Sequence, residues 1–207
     1  MKKEKPKNWR SYFLLEGVNP VIKFFTLSDV FLLGGFGLLS PIFAIYITEN
    51  IKGGSIEVVG ISQAIYLFTT SLLQIPIAFY IDKNKGERDD FWLLFFGQIA
   101  SSLIVISYIF ISTPLQLYFV QFFYGVSVAM TLPTWYAVFT RHIDKKHEGM
   151  EWGVYRTLTD LGGAFAAAIG GFLAFKFGFD NLFVLVSVVL LFGSFMLLFV
   201  RREIKKT

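Results

Sequence analysis

Long apolar stretches alternate with short polar or charged segments along the whole chain. Each apolar stretch is long enough to cross a bilayer as a helix, which takes about 20 residues. None shows the alternation over about ten residues that a membrane barrel strand requires. The pattern therefore predicts six transmembrane helices, with spans at 24–47, 56–81, 91–112, 114–140, from the charged loop 141–148 to 175, and from the turn 178–181 to 200.

Two of the predicted helices begin with clear capping signals. Asn19 precedes Pro20, and Thr113 precedes Pro114. A polar side chain at the N-cap accepts a free backbone N–H, and proline at the first helical position sacrifices no hydrogen bond. The chain therefore divides into a basic N-terminal segment (1–19), a transmembrane domain (20–200) and a basic tail (201–207). The first apolar segment is too long for a signal peptide, so we expect it to be retained.

Composition supports a membrane protein and excludes several function classes. Hydrophobic residues make up 55% of the chain and charged residues 16%, whereas soluble domains average about 25% charged. With no cysteine, disulfides and thiolate metal sites are excluded. Since no metal cluster, phosphate loop or nucleophile–base pair is recognisable, we expect no enzyme activity, no metal and no cofactor. A net charge of +4 without a basic patch gives no indication of nucleic-acid binding.

The distribution of Lys and Arg predicts the orientation of the spans. The N-terminal region, the loops after spans two and four, and the tail together hold 16 of these residues, whereas the other loops hold 2, Lys52 and Lys176. Positive residues stay on the cytoplasmic side. Both termini are therefore expected in the cytoplasm, with the chain in the plasma (or inner) membrane. The 16 residues are Lys2, Lys3, Lys5, Lys7, Arg10, Lys23, Lys83, Lys85, Arg88, Arg141, Lys145, Lys146, Arg201, Arg202, Lys205 and Lys206.

Four motifs resemble those of the major facilitator superfamily. Asp29 followed by Pro41 and Tyr46 is similar to the family's first-helix pattern. The segment from Ala78 to Lys83, with Gly86 and Arg88, resembles its signature loop between helices two and three. The other two motifs resemble the fourth-helix and fifth-helix motifs, and they comprise the run Gln121-Phe122-Phe123-Tyr124-Gly125 and the small residues Gly162, Ala166, Ala167, Gly170 and Gly171.

The chain also departs from the family pattern at identifiable positions. Gln121 stands where the fourth-helix motif has Arg, Ala78 stands for a Gly, and the Gly-Pro pair of the fifth-helix motif is absent. The missing Arg and the missing Gly-Pro pair weigh against proton-coupled antiport. The resemblance implies an all-α half bundle of six helices, built as a 3+3 inverted repeat, whereas the family normally has twelve helices. Similar endings of spans two and five, which cross in opposite senses, fit such a repeat.

Charged residues inside the predicted spans are candidate functional groups, because ionisable side chains in lipid are costly unless paired or wet. Asp29 lies six residues beyond Lys23, about 9 Å deeper along a helix. Arg156 and Asp160 share one face of span five at i and i+4. The functional interpretation is a carboxylate site for a proton or a cationic substrate, with Arg156 as its partner. The structural one is a fixed ion pair that joins spans one and five. We favour function for Asp29 and structure for Arg156 with Asp160.

Polar stripes run along spans two and four, where lipid would penalise them. Gln63, Tyr66, Thr70 and Gln74 recur on one helical face, and Gln121, Tyr124 and Thr131 do so on another. Hydrogen bonding between helices and lining of a cavity both explain such stripes. In the family, helices one and four face the translocation path. The resemblance therefore implies a lining set of Asp29, Phe36, Ser40, Gln121, Tyr124 and Thr131. It also implies a cytoplasmic latch at Asp82, Lys83 and Arg88, although a charged turn of this kind is equally explained by simple solvation.

The resemblance leads to a function hypothesis and an alternative. The hypothesis is a secondary transporter of a small molecule, working by alternating access and needing a second six-helix bundle. The alternative is a membrane scaffold or assembly partner that retains the half fold without transport. The second bundle is expected from a parallel homodimer or from another half. For the homodimer, span two of one copy would pack on span five of the other through Gln63, Thr70, Gln74, Gly162, Ala166 and Gly170.

Overall fold

Seven α-helices make up the part of the chain that the structure, a computed structural model, describes: residues 8–83 and 86–204. Five of these helices are long and apolar enough to cross a membrane. The basic residues Lys2, Lys3, Lys5, Lys7, Lys85, Lys205 and Lys206 lie outside the described residues. The helices are α1 (Trp9–Phe13), α2 (Pro20–Leu39), α3 (Phe43–Asn50), α4 (Ile56–Lys83), α5 (Glu87–Ser107, followed by the 3₁₀ turn Tyr108–Phe110), α6 (Pro114–His142) and α7 (Glu148–Ile204).

The helix starts follow the local capping chemistry of the sequence. The Asn19 side chain accepts the backbone N–H of Val21 at 3.1 Å, with Pro20 at the first position of α2. At the start of α6, Thr113 and Gln116 form a reciprocal capping box, in which each side chain accepts the other residue's backbone N–H. The starts predicted at Pro20 and Pro114 are confirmed.

The first predicted span, 24–47, is wrong as a single helix. It is divided between α2 and α3, and residues 40–42 form a turn between them. Pro41 explains the break, because a proline inside a helix lacks the N–H that the ladder needs and its ring clashes with the preceding turn. The backbone N–H of Ile42 reaches back only three residues to the carbonyl of Leu39, at 3.0 Å.

The fifth and sixth predicted spans belong to one element, α7, which is interrupted at Gly178. A straight helix of these 57 residues would be about 85 Å long, far more than a bilayer requires. Gly178 has φ 81° and ψ 165°, a backbone conformation that only glycine adopts without strain. The turn expected over residues 178–181 is therefore reduced to one glycine, and helix resumes immediately after it.

The two arms of α7 run in opposite directions along α2. In the first arm, Tyr155 contacts Asp29 and Gly170 approaches Leu38, so residue numbers rise together along both helices. In the second arm the order is reversed. Phe183 packs on Tyr46, with ring centroids 4.8 Å apart, whereas Ser28 donates to the carbonyl of Gly193 at 2.8 Å. The chain therefore turns back on itself at Gly178.

The bundle is held by four helix pairs: α2 with α7, α4 with α6, and α5 with both α6 and α7. Apolar clusters fill its two ends. Phe25, Phe91 and Phe139 are fully buried near the start of α2. Tyr46 and Phe183 are buried at the opposite end, where the Tyr46 hydroxyl donates to the carbonyl of Tyr108 at 2.6 Å. The cores at the two ends leave the middle of the bundle to polar side chains.

Connecting segments meet at the two ends of the bundle in alternation. At one end, the Asn19 side chain donates to the carbonyl of His142 at 2.9 Å, which joins the start of α2 to the end of α6. At the other, the backbone N–H of Lys52 donates to the carbonyl of Ser112 at 3.0 Å. The α3–α4 and α5–α6 connections therefore share one end, as expected for helices that alternate in direction.

The small residues of α7, which were expected on a dimer face, contact α2 of the same chain. A Cβ atom added to Gly170 would collide with the carbonyl oxygen of Leu38, and one added to Gly37 would come within 3.3 Å of the Ala166 methyl group. Gly162 lies beside Val30. Gly162, Ala166 and Gly170 thus take part in the packing of α7 on α2.

Gly170 and Gly171 provide a matched test of this close contact. We expect Gly170→Ala to lower the free energy of unfolding by about 1–3 kcal/mol, because the methyl group has to displace the backbone of α2. Gly171→Ala should be neutral or stabilising by up to about 1 kcal/mol, because no atom lies within 4 Å of the added methyl group and alanine favours the helix. Thermal unfolding of both variants in detergent measures the difference. Equal midpoints would contradict the tight α2–α7 contact.

Candidate functional site

Two neighbouring cavities open in the middle of the bundle. The first measures about 260 Å³ and the second about 360 Å³. They share Phe36, Tyr66 and Tyr124. The first is also lined by Leu39, Ser40, Phe43, Gln63, Val105, Tyr108 and Gln121. The second is also lined by Asp29, Leu32, Leu33, Leu94, Gln98, Ser101, Val128, Thr131, Leu132, Trp135, Tyr136, Trp152, Tyr155 and Arg156.

The six side chains of the expected lining set all face one or both cavities. Ser40 and Gln121 line the first, Asp29 and Thr131 line the second, and the rings of Phe36 and Tyr124 border both. Helices α2 and α6 thus form opposite parts of the wall. α2 and α6 meet through ring contacts such as that of Phe36 with Tyr124, and α7 and α5 connect them further.

Asp29 is the buried carboxylate of the second cavity, with 6% of its surface exposed. The hydroxyl group of Tyr155 donates to Asp29 Oδ2 at 3.0 Å. Within the described residues Asp29 forms no ion pair. A buried carboxylate normally pairs with a cation or neutralises, because transfer of a charge out of water is costly. Asp29 instead relies on a neutral donor and on the adjacent open space.

Arg156 does not contact Asp29, which differs from the expected partnership. Its Nε atom donates to Asp160 Oδ2 at 2.8 Å, four residues further along the same helix. The two side chains are 72% and 57% exposed, so such a pair stabilises the protein by only about 0.3–0.5 kcal/mol. The ion pair therefore lies within α7, and the link between α2 and α7 is made by Tyr155 and Asp29.

Aromatic residues beside Asp29 were missed at the sequence level. Trp135 packs between Trp152 and Tyr155, with ring centroids 5.8 and 5.0 Å away. Trp152, Tyr155 and Thr159 recur at +3 and +7 on one face of α7, and this periodicity was the available signal. The Gln98 Oε1 atom lacks a hydrogen-bond partner within residues 8–83 and 86–204, so the second cavity has an unsatisfied polar group in its wall.

The polar stripe of α4, which was expected on a dimer face, is divided among three places in this chain. Gln63 and Tyr66 line the first cavity. Thr70 is buried and donates to the carbonyls of Tyr66 and Gly125, at 2.9 and 3.2 Å. Gln74 lines a separate cleft between α4 and α6, which also contains Asp82. The stripe thus serves contacts and cavities of this chain.

A charge cluster lies at the end of the bundle where α2 and α5 begin. Its ion pairs involve other residues than those of the expected latch. Asp82, Lys83 and Arg88 form no ion pair in the described part of the chain, where the pairing involves their neighbours instead. Arg141 Nη1 binds Asp90 Oδ2 at 2.6 Å, and Asp90 is almost fully buried. His142 lies 3.5 Å from Glu87. These contacts join the start of α5 to the end of α6.

The arrangement as a whole suits binding and proton exchange more than bond-making chemistry. No group of three His, Asp or Glu side chains converges on a possible metal position among the described residues. One buried carboxylate, several amide and hydroxyl groups and many aromatic rings surround open space in a membrane-spanning bundle.

Comparison with known proteins places this arrangement in a family. The "Proton-coupled antiporter flippase LtaA" of Staphylococcus haemolyticus is 26% identical over 155 residues, which are 74% of this chain and 38% of that protein. The chain therefore spans well under half of that relative's length. The sequence model of the Major Facilitator Superfamily matches residues 25–207, nearly the entire helical region. The apolar helices, the polar cavities between them and this match agree: the chain belongs to the Major Facilitator Superfamily, a family of multi-pass membrane transporters rather than enzymes.

Proposed function

We propose that this chain forms one six-helix half of a secondary active transporter for a small molecule, and that Asp29 binds and releases the coupling proton. The observation that carries the proposal is the buried Asp29 carboxylate in the wall of a 360 Å³ cavity, without an ion pair in the described residues. Alternating access would expose this cavity to the two sides of the membrane in turn.

A proton is the simplest ligand for Asp29. Protonation removes the charge that burial penalises, so the neutral acid suits a closed cavity and the carboxylate suits a hydrated one. The Tyr155 hydroxyl favours the ionised acid, to which its hydrogen bond is strongest. On α6, Gln121 stands where the family usually has an arginine. The relative named as a proton-coupled antiporter nevertheless supports proton coupling, with Asp29 as the group that performs it.

Six membrane crossings with both termini in the cytoplasm fit this function. The opposed arms of α7 supply a fifth and a sixth crossing, on either side of Gly178. The 16-to-2 distribution of Lys and Arg supports cytoplasmic ends. Two three-helix units of opposite direction would then make a 3+3 inverted repeat, the arrangement that supports rocking around a central site.

A second six-helix bundle would complete the transport path. Both cavities are partly open, so a second bundle could supply the rest of the wall around a substrate. The rest would come from another half or from a second copy of the chain, through faces other than the small-residue row of α7. The exposed rings on α4 and α7, such as Phe68, Phe79, Phe165 and Phe172, lie on outward faces that lipid or this partner would cover.

The proton role of Asp29 can be tested without a known substrate. Trp135 and Trp152 line the same cavity as Asp29, so their fluorescence reports its ionisation in a variant with Trp9 and Trp92 replaced by Phe. We expect a pH-dependent transition that Asp29→Asn abolishes. Tyr155→Phe should change the midpoint of this transition, because the carboxylate loses its hydrogen-bond donor.

Asp160→Asn is the matched control for that titration. Asp160 is an exposed carboxylate of α7 outside both cavities, so its loss should leave the transition in place. If Asp29→Asn only lowers the unfolding temperature and leaves the titration intact, Asp29 is structural. A membrane scaffold without transport would then be the better interpretation.

The six-crossing topology has its own test in this cysteine-free chain. Single cysteines at Lys52 and at Lys145 should react with membrane-impermeant reagents from opposite sides of sealed vesicles. The reason is that the α3–α4 connection and the α6–α7 connection lie at opposite ends of the bundle. Labelling of both positions from one side would refute the topology.

A further inference from the structure

We propose that the first cavity binds an uncharged, flat heteroaromatic ring that carries hydrogen-bond donors and acceptors on its edge. This inference names the substrate class of the transporter proposed above and rests on that function. It is carried by the juxtaposition of partnerless glutamine amides with a wall of aromatic rings.

Gln121 is the strongest sign of a ligand in this cavity. Only 4% of its surface is exposed, yet its amide forms no hydrogen bond to any part of the chain within residues 8–83 and 86–204. Neither amide atom is sealed in the protein interior, so both reach the open space of the cavity. An amide that faces a mostly apolar cavity without a protein partner is poised to pair with a bound molecule. A bound edge with one donor and one acceptor would satisfy both of its atoms.

Gln63 offers a second amide from the other side of the cavity. It belongs to α4, whereas Gln121 belongs to α6, and within the described chain its side chain also lacks a hydrogen-bond partner. Each amide presents one acceptor and one donor group. Two such groups on separate helices can hold a ring by different points of its edge, and this fixes its orientation.

Aromatic rings form much of the remaining wall. The rings of Tyr66 and Tyr124 stack with centroids 5.0 Å apart and planes 25° apart. Phe36 lies 5.8 Å from Tyr124. Further along the cavity, Phe43 and Tyr108 are 4.9 Å apart. Such rings present flat apolar surfaces, on which a second ring can stack and gain more than its burial alone provides.

The lining offers a charged ligand no side chain of opposite charge. Of the described residues that line the first cavity, none carries an acidic or basic group other than the phenol hydroxyls. Asp29 and Arg156 line only the second cavity. A charged ligand in the first cavity would lose its hydration without gaining a partner charge.

The shape of the wall favours an aromatic ring over a polyol. A polyol has hydroxyl groups around its whole perimeter, and each needs a partner when it is buried. A heteroaromatic ring confines its polar atoms to the edge and offers two apolar faces. The volume of about 260 Å³ is below the roughly 300–1,000 Å³ of pockets for drug-sized molecules, so one or two fused rings suit it.

Binding of four small probes to the purified protein tests the inference. The probes are adenine and 2-quinolone, which are uncharged heteroaromatic rings, glucose, which is an uncharged polyol, and benzyltrimethylammonium, which is an aromatic cation. We expect saturable binding of at least one heteroaromatic probe in equilibrium dialysis. Gln121→Leu should weaken that binding about tenfold, because it removes both amide atoms at nearly constant volume.

Gln74→Leu is the matched control, since Gln74 is a glutamine of the bundle that lies outside the first cavity. It should change the affinity by less than twofold. The proposal is overturned if neither heteroaromatic probe binds, if glucose or the cation binds more tightly, or if Gln121→Leu and Gln74→Leu have equal effects. The dialysis is run at one pH and the Asp29 titration is run without ligand. Failure of ring binding and failure of the proton role are therefore read separately.

Discussion

The close approach of α2 and the first arm of α7 is the contact on which the rest of the structure depends. In a bilayer, lipid tails are as apolar as leucine, so helices associate through tight packing and hydrogen bonds rather than through hydrophobic burial. Gly170 allows the backbone of α7 to reach Leu38 of α2. The same close packing of the two helices brings the Tyr155 hydroxyl to Asp29, nearer the start of both helices. The carboxylate site is therefore a product of glycine packing.

Much of the fold could be predicted from the sequence because its signals are local. The caps at Asn19-Pro20 and Thr113-Pro114 depend on adjacent residues, and the apolar stretches depend only on the thickness of a bilayer. The break at Pro41 was missed, because the apolar pattern continues across it. The turn at Gly178 was expected, but over residues 178–181, whereas helix resumes directly after the glycine.

The candidate site was predictable only in part, for a different reason. Polar residues within spans, such as Asp29 and Gln121, are conspicuous in any apolar sequence. The partners of these residues are not conspicuous. Tyr155 is 126 positions from Asp29, and an aromatic residue within a span is equally explained by contact with lipid. The small residues of α7 indicated a close helix contact, but spacing alone could not identify the helix they contact. That choice is made by the tertiary arrangement, which turned them toward α2.

The two cavities share a partition, the stacked rings of Tyr66 and Tyr124, which stand on α4 and α6 respectively. A tilt of this pair that widens one chamber changes the wall of the other, so the chambers are not independent compartments. Any coupling free energy that the partition transmits is reciprocal: an occupant of one chamber that alters affinity in the other is itself affected by the same factor. The stacked phenol rings are thus part of both chambers, and a change in their position changes the shape of both at once.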